Sequence, residues 1–496
     1  MALRKIPYKY IVAAAFVAGL FMDLMDLTIV NVALPTLGRD FGTSNATTLE
    51  WVVTGYLLSL AIWIPASGWI GDRFGTKKTF LFALAAFTVC SALCGLSWSM
   101  GSLIAFRILQ GVGGGMLTPV GTAMLFRAFP PSERARASTI LTIPTVVAPA
   151  LGPILGGWLV DSVTWRAIFW VNIPIGIIGF AFSLLFLREH TEERAGAFDG
   201  WGFVLSGAGL ALVLFALSRG PNSGWTSPIV LASGVIGTLC FVMLVVVELR
   251  IREPMLQLRL FANRLFRTSN LAFFMAMASL LSQFLLLTLF LQQLAGLSAL
   301  QAGLAVLPFS IGTIVSAPIV GSIYPRIGPR RLIAVGLLGA AVTSAMFLAV
   351  DLKTSLATIC GIMLVRGLAY GAVFVPVQVA TYATISSRDT GRASSLFSTN
   401  RQVAQSIGVA IAVTVLATRS QSLVAAAIRV AAPAARQAAA QQAVVRSFHD
   451  AFATTIVMAA LGIVFALLIH DSDAAPTMRR VRPEPISTLA EAEGSA

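Results

Sequence analysis

The chain divides into fourteen apolar segments, near residues 10–34, 49–71, 78–98, 101–125, 138–160, 166–187, 200–218, 227–249, 269–294, 302–324, 331–350, 355–382, 394–418 and 451–470. A helix needs about 20 apolar residues to cross the hydrocarbon of a bilayer, and the segments are of that order or longer. Residues are 57% hydrophobic and only 11% charged, where a soluble domain carries about 25% charged residues. So little charge cannot cover an aqueous surface, and lipid has to be the solvent. The expected fold is an all-α polytopic membrane protein. The first residues, with Arg4, Lys5 and Lys9 ahead of an apolar run, have the look of a signal peptide. The run continues past the ~15-residue limit of a signal core with no small-residue cleavage site after it. It reads as an uncleaved first helix.

An even number of crossings puts both termini on one side, and lysine and arginine decide which. Most of the 35 basic residues lie in the N-terminus, in alternate loops from Arg73, Lys77 and Lys78 through Arg127, Arg134, Arg136, Arg188, Arg194 and Arg252 to Arg388 and Arg392, and in the tail at Arg479, Arg480 and Arg482. The positive-inside bias makes that side cytoplasmic. A net charge of +14 is thus dispersed in short clusters, whereas a nucleic-acid footprint would gather on one domain. No nucleic-acid partner is expected.

The sequence also repeats. Gly68-Trp-Ile-Gly-Asp72-Arg73-Phe-Gly75-Thr-Lys77-Lys78 aligns with Gly321-Ser-Ile-Tyr-Pro325-Arg326-Ile-Gly328-Pro-Arg330-Arg331, Arg107 and Pro119 with Arg366 and Pro376, and Arg136-Ala-Ser138 with Arg392-Ala-Ser394. The offset is nearly constant, so two six-helix halves run in parallel. The divisions are 1–190 for the first half, 191–262 for two inserted helices and a linker, 263–470 for the second half, and 471–496 for a polar tail with Pro476, Pro483 and Pro485, expected to be disordered. Segment 419–450, rich in Ala and Gln and broken by Pro433, is expected to form one or two surface amphipathic helices. It serves as a linker or as a partner contact.

Other chemistries leave no trace. Cys90, Cys94, Cys240 and Cys360 lie in apolar runs, and His190, His449 and His470 in loops or at a helix end. Neither a metal site nor a disulfide framework is legible. An enzyme would need a nucleophile, metal or acid–base constellation, and a sensor a soluble output domain; neither is visible. No cofactor is expected beyond protons as coupling ion.

Two acids stand out. Asp23 and Asp26 are the acidic residues that fall well inside a predicted span. An ionised carboxylate at a bilayer centre costs at least about 3 kcal/mol, and chains keep one to move protons, ions or charged substrates. Three positions apart, the two lie about 60° from each other on one helix face. Like charges that close in low dielectric cannot both ionise cheaply, and a carboxylate that titrates near neutral pH loads and releases a proton in each cycle. Asn31 flanks the same face and is a candidate hydrogen-bond donor to substrate. Arg107 lies ~10 Å from the outer end of the fourth helix at 1.5 Å per residue, a depth Asp26 reaches from the other side. A buried guanidinium needs an anion, so Asp26 or Asp23 is its expected partner. Arg366 has no such acid in view and reads as structural.

Four motifs carry a family resemblance. Gly68 to Lys78, with Gly68, Asp72, Arg73, Gly75 and Lys77, resembles the loop motif between helices 2 and 3 of the major facilitator superfamily. Leu103-Ile-Ala-Phe-Arg107-Ile-Leu-Gln110-Gly111 resembles its helix 4 arginine motif. Ala148-Pro-Ala-Leu-Gly152-Pro153-Ile-Leu-Gly156-Gly157 is similar to its antiporter motif, with Ala148 in place of the first glycine. Leu24-Met-Asp26-Leu-Thr28-Ile-Val-Asn31-Val-Ala-Leu-Pro35 resembles the helix 1 signature of the fourteen-helix drug:proton antiporter branch. The resemblance implies that Asp26 carries the proton, that Arg107 assists its release, and that Asp72 latches onto a helix N-terminus near Ser394 in the opposite half. It further implies that Gly152, Pro153, Gly156 and Gly157 bend a helix at the interface between halves. Asp23 is additional to the signature.

Substrate contacts are expected from Asn31, Tyr56, Trp63, Gln110, Gln283, Gln378 and Asn400, while Arg401 is expected to snorkel toward the cytoplasmic surface. The function these features imply is proton-coupled export of hydrophobic, cationic small molecules from the bacterial cytoplasmic membrane by a functional monomer. Export of a lipid, siderophore or other metabolite is the alternative, as is service as the inner-membrane subunit of a multipart pump with a periplasmic adaptor at 419–450.

Overall fold

The computed structural model describes residues 6–43, 46–192, 196–251, 254–430 and 435–478. Arg4, Lys5, Arg194, Arg252, Pro433 and the tail from Arg479 onward, with Arg480, Arg482, Pro483 and Pro485, lie outside them. Among the described residues, 14 helices are long and apolar enough to cross a membrane. They are α1 (Tyr8–Asp40), α2 (Ala46–Phe74), α3 (Thr76–Gly95), α4 (Met100–Ala128), α5 (Arg134–Ser162), α6 (Ala167–Phe186), α7 (Gly200–Ser223), α8 (Pro228–Arg250), α9 (Arg264–Leu289), α10 (Ala299–Ile327), α11 (Pro329–Met346), α12 (Leu356–Ala383), α13 (Thr390–Val430) and α14 (Arg436–Leu467). Each expected segment holds one helix. A bilayer offers the backbone no partners, so an apolar run must close its hydrogen bonds internally. Where helices emerge, polar side chains take over the unpaired amides: Ser99 opens α4, and Ser298 with Gln301 forms a reciprocal cap on α10.

The outward faces are apolar. Ile229, Val235, Leu239, Val242 and Val246 of α8 are exposed, a surface stable only against lipid. Trp98, Trp158 and Trp201, also exposed, sit near span ends, where indole favours the headgroup level.

The two halves pack alike. In the first, α1 lies on α5, α2 on α4, and α3 on both α4 and α6; in the second, α9 lies on α13, α10 on α12, and α11 on both α12 and α14. Across the seam the same symmetry holds, with α5 against α10 and α13 against α2. The inserted α7 and α8 pack on each other, and α7 also touches α2 and α13 beside one seam.

The repeated loop motif ends both second helices in the same way. Gly75 and Gly328 have φ of 102° and 82°, a conformation that glycine adopts without strain. Each turn is closed by an acid from beyond its half's sixth helix. Glu189 accepts from the Lys77 and Lys78 amides at 2.9 and 3.2 Å, and Asp471 from the Arg330 amide at 3.0 Å. An acid at a helix N-terminus satisfies free amides and opposes the dipole favourably. This corrects the expectation of disorder from residue 471: Asp471–Ala474 and Ala475–Met478 form short helical turns, tied down by a 2.9 Å bond between Thr477 and Tyr324. Segment 419–450 also differs from expectation. Its described part consists of direct extensions of α13 and α14 rather than separate surface helices, joined by an Arg419–Asp450 pair at 3.1 Å. Alanine-rich sequence favours helix, so nothing interrupts the two spans where they leave the apolar zone.

Candidate functional site

Asp26 is fully buried at the centre of the first half. One carboxylate oxygen accepts from Arg107 at 2.5 Å, the other from Gln110 Nε2 at 3.2 Å and Asn172 Nδ2 at 3.3 Å. Arg107 spends its other donors nearby, on the Val52 carbonyl at 3.1 Å and on Gln110 Oε1 at 2.8 Å. Its guanidinium lies 4.2 Å from the Tyr56 ring centroid. Four helices, α1, α2, α4 and α6, thus converge on one ion pair. Burying two charges costs several kcal/mol per ion, which mutual attraction offsets only when further hydrogen bonds complete the geometry. Here they do.

Asp23, one turn away, has different company. It accepts from Tyr56 Oη at 2.7 Å and from Thr118 Oγ1 at 3.1 Å. Gly114 makes the approach possible, because a Cβ there would stand 2.5 Å from the Tyr56 hydroxyl and 3.1 Å from Asp23. The two acids therefore divide their roles: Asp26 holds a permanent cation, and Asp23 two neutral donors. Tyr56 links them, its ring under Arg107 and its hydroxyl on Asp23.

The face that bears the basic loops is shut. Asp72, at the end of α2, accepts from Arg127 at 2.7 Å and stands against Gly391 in the first turn of α13, the neighbourhood the resemblance implied. Arg127 also donates to the Ser387 carbonyl across the seam at 3.0 Å. Gly68 lets α2 approach, since a Cβ there would lie 2.6 Å from the Gly391 carbonyl. Deeper in, Ser394 donates to the Pro119 carbonyl at 2.6 Å, Ser67 and Ser395 lie 3.1 Å apart, Phe126 stacks on Tyr382 with centroids at 4.3 Å, and Arg134 donates to the Tyr382 carbonyl. Arg73 is exposed, and the Lys77 ammonium donates to the Leu184 carbonyl at 2.7 Å.

The antiporter-like motif runs along the other seam. Gly152 and Gly156 of α5 pack on Thr28 and Ile29 of α1, and a Cβ on Gly303 of α10 would stand 3.6 Å from Pro153, while Gly157 meets open space. Small residues thus let α5 fit between α1 and α10.

Other predicted contacts fall elsewhere. Trp63 packs on Phe203 of the inserted α7, ring centroids 5.4 Å apart, and not beside the acids. Gln283 accepts from Thr455 at 3.0 Å and Asn400 donates to the Asn270 carbonyl at 3.0 Å; both bridge helices within the second half. Asn31 is exposed and donates back to Leu27 of its own helix at 3.2 Å. Arg366 is buried against the Ala340 carbonyl, Ser344 and the Tyr370 ring, in keeping with a structural part. Gln378 does reach the seam. It lines a cavity of about 30 Å³ between the halves with Thr118, Thr122, Thr145, Ser398 and Arg401, room for a water or two. Arg401 therefore points inward, contrary to expectation. Asn172 and Thr118 are site residues that the sequence did not single out, and Arg127, expected only as a topology charge, bonds to Asp72; for Asn172 the available signal was an amide at the start of an otherwise apolar run.

Two parallel six-helix halves, a charge network sealed in one of them and a seam closed at one end define a carrier that works between two faces of a membrane. A family model described as Major Facilitator Superfamily matches residues 16–409, and the chain belongs to that superfamily. It is 34% identical over 403 residues to the Multidrug resistance protein B homolog of Mycobacterium tuberculosis (strain ATCC 25618 / H37Rv), with 80% of this chain and 74% of that protein covered. It is also 34% identical over 396 residues to the Multidrug export protein EmrB of Haemophilus influenzae, with 79% and 77% covered. The crystal structure of the human organic anion transporter MFSD10 (TETRAN) matches 93% of this chain and all of that one with a TM-score of 0.65 at 18% identity, a likeness of fold alone. The chain is a multi-pass transporter whose relatives include multidrug exporters.

Proposed function

We propose that this transporter is a proton-coupled antiporter that exports hydrophobic, cationic small molecules across the bacterial cytoplasmic membrane by alternating access. Its basic face and both termini lie in the cytoplasm, and it acts as a monomer with no cofactor. The observation that carries this reading is the Asp26–Arg107 pair at 2.5 Å, buried with Gln110 and Asn172 beside Asp23. A proton arriving on Asp26 cancels the charge that holds Arg107, so protonation and the packing of α1, α2, α4 and α6 are one event. The closed basic face, with Asp72 against the start of α13, is the outward-facing half of such a cycle. Asp23, which holds no cation of its own among its hydrogen-bond partners, supplies the charge for a lipophilic cation.

The test is transport in proteoliposomes under an imposed pH gradient. Asp26→Asn keeps size and hydrogen bonding but cannot exchange a proton, so gradient-driven export should fall to the level of empty liposomes while the protein folds. Asp23→Asn should shift the pH optimum or narrow the range of cations carried. Unchanged gradient-driven transport in the double variant would end the proton-coupling claim and leave a facilitator.

A further inference from the structure

Arg401 is a cation that the ion-pair network does not use. Phe397, Ser398 and Arg401 present one face of α13 to the cavity between the halves, opposite Phe16 and Leu20 of α1 and Thr118 and Thr122 of α4. Thr118 is also the donor to Asp23, and Leu20 sits one turn from Asp23 on α1. Asp23 is thus just behind the wall that Arg401 faces. Arg401 makes no hydrogen bond or ion-pair contact among the described residues, and Thr118, which it meets across the cavity, is the link to the Asp23 carboxylate. Arg107 is already committed to Asp26. The charged and titratable groups around Asp23 are therefore Tyr56, Asp26 and, from the other half, Arg401. At about 30 Å³, the cavity has no room for an organic cation while the basic face is shut.

We propose that Arg401 displaces the substrate's cationic group from Asp23 as the cytoplasmic side closes. The inference rests on the export reading above, with its lipophilic cations, and adds to it the residue that discharges them. Arg401 rides on α13, and Asp23 on α1. Opening the cytoplasmic side separates α13 from α2 and α4 and withdraws the guanidinium, leaving Asp23 to an incoming cation. Closure returns Arg401. Two cations cannot share one carboxylate at low dielectric, and the mobile one leaves toward the outer side. An uncharged substrate feels none of this.

The experiment compares tetraphenylphosphonium, a lipophilic cation without an exchangeable proton, with the uncharged dye Nile red. Both are measured on the full-length purified chain, for binding without a gradient and for export in proteoliposomes. Arg401→Gln should bind tetraphenylphosphonium about tenfold more tightly, the equivalent of removing one modest like-charge repulsion, and export it more slowly. Nile red should be unaffected in both assays. Arg401→Lys should restore wild-type behaviour, and Arg401→Met provides a second uncharged variant. In an Asp23→Asn background, Arg401→Gln should bring no gain in affinity. Unchanged or weaker cation binding in the uncharged variants, or an equal effect on both probes, would overturn the proposal. Failure of wild-type transport to respond to a pH gradient would instead count against proton coupling, since the binding comparison uses no gradient.

Discussion

At the scale of single residues, the decisive fact is that two acids one turn apart have been given different partners. Asp26 faces a guanidinium and two amides, Asp23 a phenol and a hydroxyl. The first arrangement makes Arg107 an obligate companion. Arg107→Gln should lower thermal stability in detergent by about 3–5 kcal/mol, because it strands a buried carboxylate. Adding Asp26→Asn to that variant should recover part of the loss, since an amide needs no counter-charge. Strictly additive losses would mean that the pair is not coupled as its geometry implies. That Arg107 would pair with one of the two helix 1 acids was legible, because a buried cation demands an anion at matching depth; that the partner is Asp26 and not Asp23 was decided by the packing. Thr118 and Asn172 were not legible, since nothing in a lone threonine or asparagine says which neighbour it will meet.

Among elements, the working contact is between the end of α2 and the start of α13. Asp72 stands against Gly391 in the first turn of α13, with Arg127 bonded both to it and to Ser387 across the seam. Pro325 occupies the matching place in the second copy of the motif, so this closure exists on one side of the pseudo-symmetry. Asp72→Asn should loosen the closed form and reduce transport several-fold, while equilibrium binding of substrate stays within about twofold, because the residue is far from the buried acids and its helix-terminus contribution is on the order of 1 kcal/mol. Lost binding with normal turnover would assign Asp72 to the substrate path instead. The glycine turns at Gly75 and Gly328 make the same point from stability's side. Their caps, Glu189 and Asp471, lie far away in sequence, which is why the second was mistaken for the start of a free tail.

For the whole molecule, fourteen spans require both ends to share a compartment. Reporter tags at the two termini should both read cytoplasm, and a tag at Pro433, between α13 and α14, should read exterior. Opposite readings at the termini would need an odd number of crossings and would break the two-half arrangement. The pairing of α5 with α10 and of α2 with α13 gives rocking between halves two equivalent seams, and the glycines of α5 lie on one of them.

The number of spans, their approximate limits and the parallel repeat were determined by sequence alone, because a bilayer imposes a local criterion that any apolar run must meet by itself. Which way each helix turns was decided only by tertiary packing. In a soluble helix the polar stripe declares the outer face, but in these helices lipid and protein neighbours are equally apolar, so the pattern is silent. Trp63 could therefore be read toward a cavity when it packs on Phe203, and Arg401 toward the surface when it lines the seam opposite Thr118. Even the lengths of α13 and α14 follow this rule. Hydropathy marks where the lipid ends, and the helices simply continue beyond it, to Val430 and from Arg436.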